Sequence, residues 1–259
     1  MTSRWARGWV TLLALGAVTG LLSGAFGIGG GVLLVPVLVG MLRFTHRMAA
    51  GTSLAAILPA AALGGIGYAF QGRVDWVAAL CLAAGMIVGS QLGSYLLSRL
   101  PILFLQILFV TFLVVIIASL WIVIPQRDES ITWNLLTGAF LVVAGFVTGV
   151  FSGLMGIGGG VIIVPLLMLL FGANDLEAKG TSLLTLVPGS ISGTLANIRR
   201  HALDVRAAII LGISAGALSP IGAILAAMID PFWSNAIFSL LLTAILLQMV
   251  LRLVRRGAQ

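Results

Sequence analysis

The chain has 259 residues, of which 60% are hydrophobic and only 8% charged, against about 25% charged in an ordinary soluble domain. The formal net charge is +7, but the arginines gather at the ends of apolar stretches, where they read as topology determinants and lipid-headgroup contacts instead of a nucleic-acid surface. A soluble catalytic domain is excluded, and an all-α polytopic membrane protein is expected, because apolar runs near the roughly 17–25 residues needed to cross a bilayer follow one another with short joints.

In chain order the expected membrane helices are 9–23, 48–70, 76–97, 102–124, 131–152, 180–198, 205–228 and 232–251, with two shorter ones at 32–42 and 161–171. Pro101, Pro125 and Pro231 punctuate joints, as expected where a helix starts or cannot continue. Trp9, Trp76, Trp121, Trp133 and Trp233 fall near segment ends, the depth at which an amphipathic ring meets the headgroups. Arg4 and Arg7 ahead of the first apolar run imitate a cleavable export signal. Residues 20–38 return at 149–167, however, so the segment is expected to stay as the first membrane helix. The lone cysteine, Cys81, lies in an apolar run and is expected to serve packing.

That return is the chain's most informative feature. Gly20-Leu-Leu-Ser23-Gly24-Ala-Phe-Gly27-Ile28-Gly29-Gly30-Gly31-Val32-Leu-Leu-Val35-Pro36 recurs as Gly149-Val-Phe-Ser152-Gly153-Leu-Met-Gly156-Ile157-Gly158-Gly159-Gly160-Val161-Ile-Ile-Val164-Pro165, at an offset of 129 positions (149 − 20). Without a gap, Gly51-Thr52-Ser53 matches Gly180-Thr181-Ser182, Pro59 matches Pro188, and Asp75 matches Asp204. The halves are therefore 1–126 and 127–259, each with five helical segments. Doubled, interrupted hydrophobic segments point to the binding site of a secondary transporter.

Charge suggests how the halves are related. The joint holding Arg43, His46 and Arg47 is basic, and the next, with Arg73 and Asp75, is poor in charge. In the second half the order swaps: Asp175, Glu177 and Lys179 come first, and Arg199, Arg200, His201 and Arg206 second. The flanks agree, with Arg4 and Arg7 before the first half, Arg127, Asp128 and Glu129 between the halves, and Arg252, Arg255 and Arg256 at the end. Positive residues favour the cytoplasm, so equivalent joints face opposite sides, as in an inverted repeat. Both termini are expected in the cytoplasm, in the plasma (cytoplasmic, inner) membrane. A parallel repeat with re-entrant short segments is the alternative.

Five of the eight positions from Gly24 to Gly31 are glycine, as are five of eight from Gly153 to Gly160. Glycine lets the chain unwind and turn its amides outward, and an opened backbone survives in a membrane only inside protein or beside a cavity. A new helix then begins near Val32 or Val161, whose free N–H groups and positive dipole end attract an anion. Pure packing explains Gly20/Gly24 or Gly85/Gly89/Gly93 well, but needs only one small face and explains Gly-Ile-Gly-Gly-Gly poorly. The candidate substrate site is therefore Ser23, Gly27, Gly29, Gly30, Gly31, Thr52 and Ser53 with Ser152, Gly156, Gly158, Gly159, Gly160, Thr181 and Ser182. The hydroxyls and amides donate hydrogen bonds without a permanent charge, which suits an anion that must also leave.

Several functions lack their residues. No strand-flanked dinucleotide fingerprint, Gly-Lys-Ser/Thr phosphate loop or His-Glu-x-x-His zinc site occurs, so no enzyme, catalytic residue, metal or cofactor is expected. No carboxylate lies deep in an apolar run to relay protons. Asp75 and Asp204 read as helix N-caps, His46 and His201 as solvated joint residues, and Lys179, which replaces Ala50 of the first half, as a side chain snorkelling to the interface. Pro36, Pro165, Pro59 and Pro188 are expected to kink or end their helices.

The doubled Gly-x-x-x-Gly-Ile-Gly-Gly-Gly-x-x-x-x-Pro pattern, with Gly-Thr-Ser downstream, resembles the TauE/SafE family of sulfite and organosulfonate exporters (TSUP permeases) over essentially the whole chain. The resemblance implies a permease that moves sulfur-containing anions such as sulfite or sulfonates, usually outward. The residues alone reach only a small anion bound between two broken segments, and leave open a transporter or channel for another small anion. The expected partners are that anion and the lipid bilayer, with a homo-oligomer left open and no nucleic acid.

Overall fold

The computed structural model describes residues 2–122 and 134–257, with side chains from 9 to 251 except at 102, 109, 122 and 135. The side chains of Arg4, Arg7, Arg252, Arg255 and Arg256, together with Pro125, Arg127, Asp128, Glu129, Trp133 and the expected helix ends at 124 and 131, lie outside the described residues. Ten helices and no strand occur among the described residues: α1 (Thr2–Phe26), α2 (Gly31–Gly40), α3 (His46–Phe70), α4 (Trp76–Arg99), α5 (Ile102–Ile122), α6 (Leu135–Met155), α7 (Gly160–Phe171), α8 (Asp175–Arg199), α9 (Val205–Met228) and α10 (Pro231–Gly257).

Seven of these, α1, α3, α4, α5, α6, α9 and α10, are long and apolar enough to cross a membrane. The segment expected at 180–198 is longer and more polar than the sequence suggested. It starts at Asp175, takes Glu177 and Lys179 into its first turns and carries Ser, Thr and Asn along its length. This helix packs against α3, α4 and α7, so protein shields a surface that lipid would not accept. Trp76, Trp121 and Trp233 stand at helix ends and Trp9 at the start of the apolar span of α1, each more than half exposed, as suits rings at an interface. Cys81 is half-buried and free, and packs at the edge of the core with Val74 and Ala144.

The joints obey local rules. Asp75 Oδ1 accepts from the N–H of Val77 and Ala78, and Asp204 Oδ1 accepts from Ala207, so both carboxylates cap helices as expected. Pro36, Pro59, Pro165 and Pro188 lie inside α2, α3, α7 and α8. None of them ends its helix, because neighbouring helices hold the segments together.

Small residues set the packing. Along α1, Gly16, Gly20 and Gly24 meet the backbone of α9 at Leu211, Ala215 and Ser219. Along α4, Gly85, Gly89 and Gly93 meet α6 at Val142, Phe146 and Val150. Four-residue spacing of glycine permits this close approach of helix backbones. The two seams are repeat equivalents, since α1 matches α6 and α9 matches α4 at the same offset. Residue order along the seams makes α1 parallel to α9, and α4 parallel to α6. Pro59 and Leu63 of α3 meet Gly212 and Gly216 of α9, so α3 runs the same way as α9. Thr185, Ser192 and Asn197 of α8 reach Ala79, Ile87 and Ser94 of α4, so α8 runs with α4. Finally, α3 and α8 are antiparallel: the N–H of Asp204, past the end of α8, donates to Thr52 Oγ1 near the start of α3. The N–H of Asp75, past the end of α3, donates to Thr181 Oγ1 near the start of α8.

Candidate anion site at the paired helix breaks

The two glycine clusters unwind where the sequence placed them. α1 stops at Phe26 and α6 at Met155, and α2 and α7 begin after four intervening residues in each case. Gly30 (φ 77°) and Gly159 (φ 86°) each cap the new helix in the left-handed region, where any L side chain is strained by roughly 1–2 kcal/mol. Gly27, Gly29, Gly156 and Gly158 share that sign of φ.

The breaks lie against each other in the middle of the molecule. A Cβ at Gly31 would sit 2.5 Å from the carbonyl oxygen of Ile157, and one at Gly160 would sit 2.5 Å from that of Gly27. Gly29 and Gly158 both rest on Ile57 and Leu186, repeat equivalents near the midpoints of α3 and α8. Close packing and backbone opening therefore coincide in the same glycines, which the sequence treated as competing explanations.

The starts of α2 and α7 thus converge. The N–H groups of Leu33 and Leu34 bond back to Gly30, and those of Ile162 and Ile163 to Gly159. The amides ahead of them are first-turn donors of the kind a helix leaves open. Each helix start carries about half a positive charge, so bringing two together in a low-dielectric interior is unfavourable unless negative charge lies between them. The α1 end is satisfied differently: Tyr68 Oη donates to Gly24 O at 2.8 Å and Ser182 Oγ to Gly27 O at 2.9 Å.

The expected hydroxyls divide into two groups. Ser23, Ser53 and Ser152 are fully buried and make no hydrogen bond within the protein. Ser152 stands at the second break, its Cβ 3.5 Å from where a Cβ at Gly159 would lie. Buried hydroxyls without partners are uncommon, and each calls for a reason. Ser182 is spent on Gly27, while Thr52 and Thr181 are turned to the α8–α9 and α3–α4 joints, where they accept the bonds that tie α3 to α8.

Sequence reasoning misplaced Lys179. It does not snorkel: it is only 4% exposed, with Nζ 3.2 Å from Asp175 Oδ2 and 2.9 Å from Ser234 Oγ. Asp175 is 1% exposed. The signal available in sequence was the four-residue spacing of Asp175 and Lys179, which places both on one helix face. No group of three or more His, Cys, Asp or Glu placed to hold a metal occurs among the described residues.

Apolar spans wrapped around two facing breaks define the class, a helical membrane protein with an internal sequence repeat. Residues 1–120 and 141–259 match the model of the "Sulfite exporter TauE/SafE" family, and the chain belongs to that family of membrane transporters. It is similar to probable membrane transporter proteins from several organisms. YunE of Bacillus subtilis is 27% identical over 214 residues, covering 73% of this chain and 78% of the relative. A Xylella fastidiosa relative is 27% identical over 254 residues, with 94% and 95% covered. One from Haemophilus influenzae is 34% identical over 181 residues, with 66% of each covered. No solved structure matches the chain.

Proposed function

We propose that the chain is a permease for small sulfur-containing oxyanions, sulfite or organosulfonates, and that it exports them without chemical change. The observation that carries this reading is the convergence of two helix N-termini, with the buried and unpartnered Ser152 hydroxyl at one of them. Such a place offers backbone N–H donors, hydroxyl donors and two positive dipole ends to one anion. The shell is Ser23, Ser53 and Ser152 with the glycines 27–31 and 156–160, and Ser182 beside it. Thr52 and Thr181 act from behind by fixing α3 against α8. The family name and the transporter relatives support the class of activity; sulfur and the outward direction rest on the family resemblance alone.

The halves, 1–126 and 127–259, are read as an inverted repeat in the cytoplasmic membrane with both termini inside. The helix directions favour this, since α1 runs with α3 and α9 while its equivalent α6 runs with α4 and α8. Arg47 and Arg200 then share the cytoplasmic side, and Arg73 shares the outer side with the start of α8, where Lys179 lies. Because Lys179 is buried, half-buried Glu177 is the better reporter there. In a Cys81→Ser background, an impermeant thiol reagent should label Gln71→Cys and Glu177→Cys from outside, but Arg47→Cys and Arg200→Cys only after permeabilisation. Labelling of Arg47→Cys and Glu177→Cys from the same side would favour the parallel repeat.

Uptake of labelled sulfite, taurine, sulfate and phosphate into proteoliposomes tests the substrate class. A hydrogen bond to a charged group contributes about 1.5–3 kcal/mol, so Ser23→Ala or Ser152→Ala should weaken anion affinity ~10–100-fold. Unchanged affinity in both variants would remove the serines from the site.

A further inference from the structure

The two breaks are alike in backbone but not in charge. Gly27 of the first break lies against Lys179: a Cβ added there would stand 2.6 Å from Lys179 Cα and 2.8 Å from its Cβ. Gly156, its equivalent, lies against Ala50, the residue that matches Lys179 in the repeat. The partners differ as well. Asp175 corresponds to His46 and Ser234 to Leu105. Thus a buried ion pair, Lys179 Nζ to Asp175 Oδ2 at 3.2 Å, stands at one break, and an alanine at the other.

Asp175, Lys179 and Ser182 follow at four and three residues along α8, so they share one face, and Ser182 Oγ on that face donates to Gly27 O. The Lys179 backbone and Cβ line the first break, and its ammonium is bonded also to Ser234 of α10. Bringing both charges out of water is costly, and a pair of apolar residues would generally be at least as stable there. Inside a membrane protein such a charge marks a pathway. The simplest structural role, complementing the C-terminal dipole of α1, would serve α6 equally well, yet α6 meets Ala50.

We propose that Asp175 and Lys179 form a charge gate at the first break. The Asp175 carboxylate holds the Lys179 ammonium while the site lacks substrate, and a small oxyanion takes the carboxylate's place on that ammonium as it enters or leaves between the breaks. Asp175 thereby competes with the substrate, which lets the anion bind and still depart. The gate stands at one break only, and gives the two faces of the permease different anion affinities. This deepens the anion-permease reading and rests on it.

The test is concentration-dependent sulfite uptake by the full chain in liposomes, together with thermal unfolding of each variant. Asp175→Asn should lower the half-saturating sulfite concentration about 10-fold and slow turnover, because the competitor is gone and release is impeded. Lys179→Met should raise half-saturation at least ~10-fold. The double variant Asp175→Asn/Lys179→Met, which leaves no unpaired charge, should fold and behave as Lys179→Met. If the pair is only a structural ion pair, the double variant restores wild-type half-saturation, and that result overturns the gate. A raised or unchanged half-saturation in folded Asp175→Asn overturns it equally. Wild-type chain that takes up no sulfite would instead remove the permease reading itself, so the two failures are distinguishable.

Discussion

Gly159→Val is expected to abolish anion transport in a protein that still folds and inserts. The nearest atom to a Cβ at Gly159 is Met86 Cε at 3.0 Å, followed by Thr148 O at 3.4 Å and Ser152 Cβ at 3.5 Å. A thioether end can swing aside, so sterics alone do not destroy the fold. The φ of 86° adds roughly 1–2 kcal/mol of strain, which lowers thermal stability by a few degrees. The branched side chain meanwhile fills the space in front of the α7 start, beside Ser152, where the proposed site puts the anion. Gly30→Val should also stop transport but at greater cost to the fold, because its Cβ meets Thr19 Cγ2 and the Thr19 carbonyl oxygen. The structure separates the two positions through what packs behind each. Uptake per folded molecule, with unfolding followed in parallel, checks both. Wild-type uptake by folded Gly159→Val would place the anion elsewhere.

Gly89→Leu is expected to do the reverse, sharply reducing the yield and stability of folded protein. The Cβ would run into the carbonyl of Phe146 and come within 3.0 Å of the Val150 nitrogen. Both are helix backbone and cannot swing away, so α4 and α6 must separate along the whole seam. Overpacking of this kind costs typically 1–3 kcal/mol, and more where backbone is the obstacle. Because Met86 of α4 also packs on Gly159 and the seam runs to Gly153, uptake per folded molecule should fall as well, but less than in Gly159→Val. A normal unfolding temperature and yield for Gly89→Leu would contradict the close α4–α6 approach. The pair of glycine substitutions separates backbone opening from packing, which share the same residue type.

Much of this architecture was legible in the chain. The glycine clusters fixed the helix breaks, because only glycine enters the left-handed region freely, and Gly30 and Gly159 do so. Four-residue glycine spacing marked the seams, and Asp75 and Asp204 announced their helices. Other features depended on three-dimensional neighbours. The start of α8 looked like a polar joint, because Asp175, Glu177 and Lys179 are costly in lipid; α3, α10 and the first break make the place habitable by sheltering and pairing them. Thr52 and Thr181 looked like site residues beside Ser53 and Ser182, since helix neighbours in sequence point in different directions and only the fold shows which one faces the α3–α4 or α8–α9 joint. That the two breaks touch each other over Ile57 and Leu186 follows from the antiparallel packing of α3 and α8, which no local pattern encodes.

Selenite, the selenium analogue of sulfite, offers the most direct reading of where the anion sits. Anomalous scattering from crystals of the full chain grown with selenite should give a peak between the two breaks, within hydrogen-bond reach of the N–H groups at the starts of α2 and α7 and of Ser23 or Ser152, and the peak should vanish in Gly159→Val. A selenite peak confined to the surface or the outer mouth, in protein that transports selenite, would contradict an anion site built from paired helix breaks.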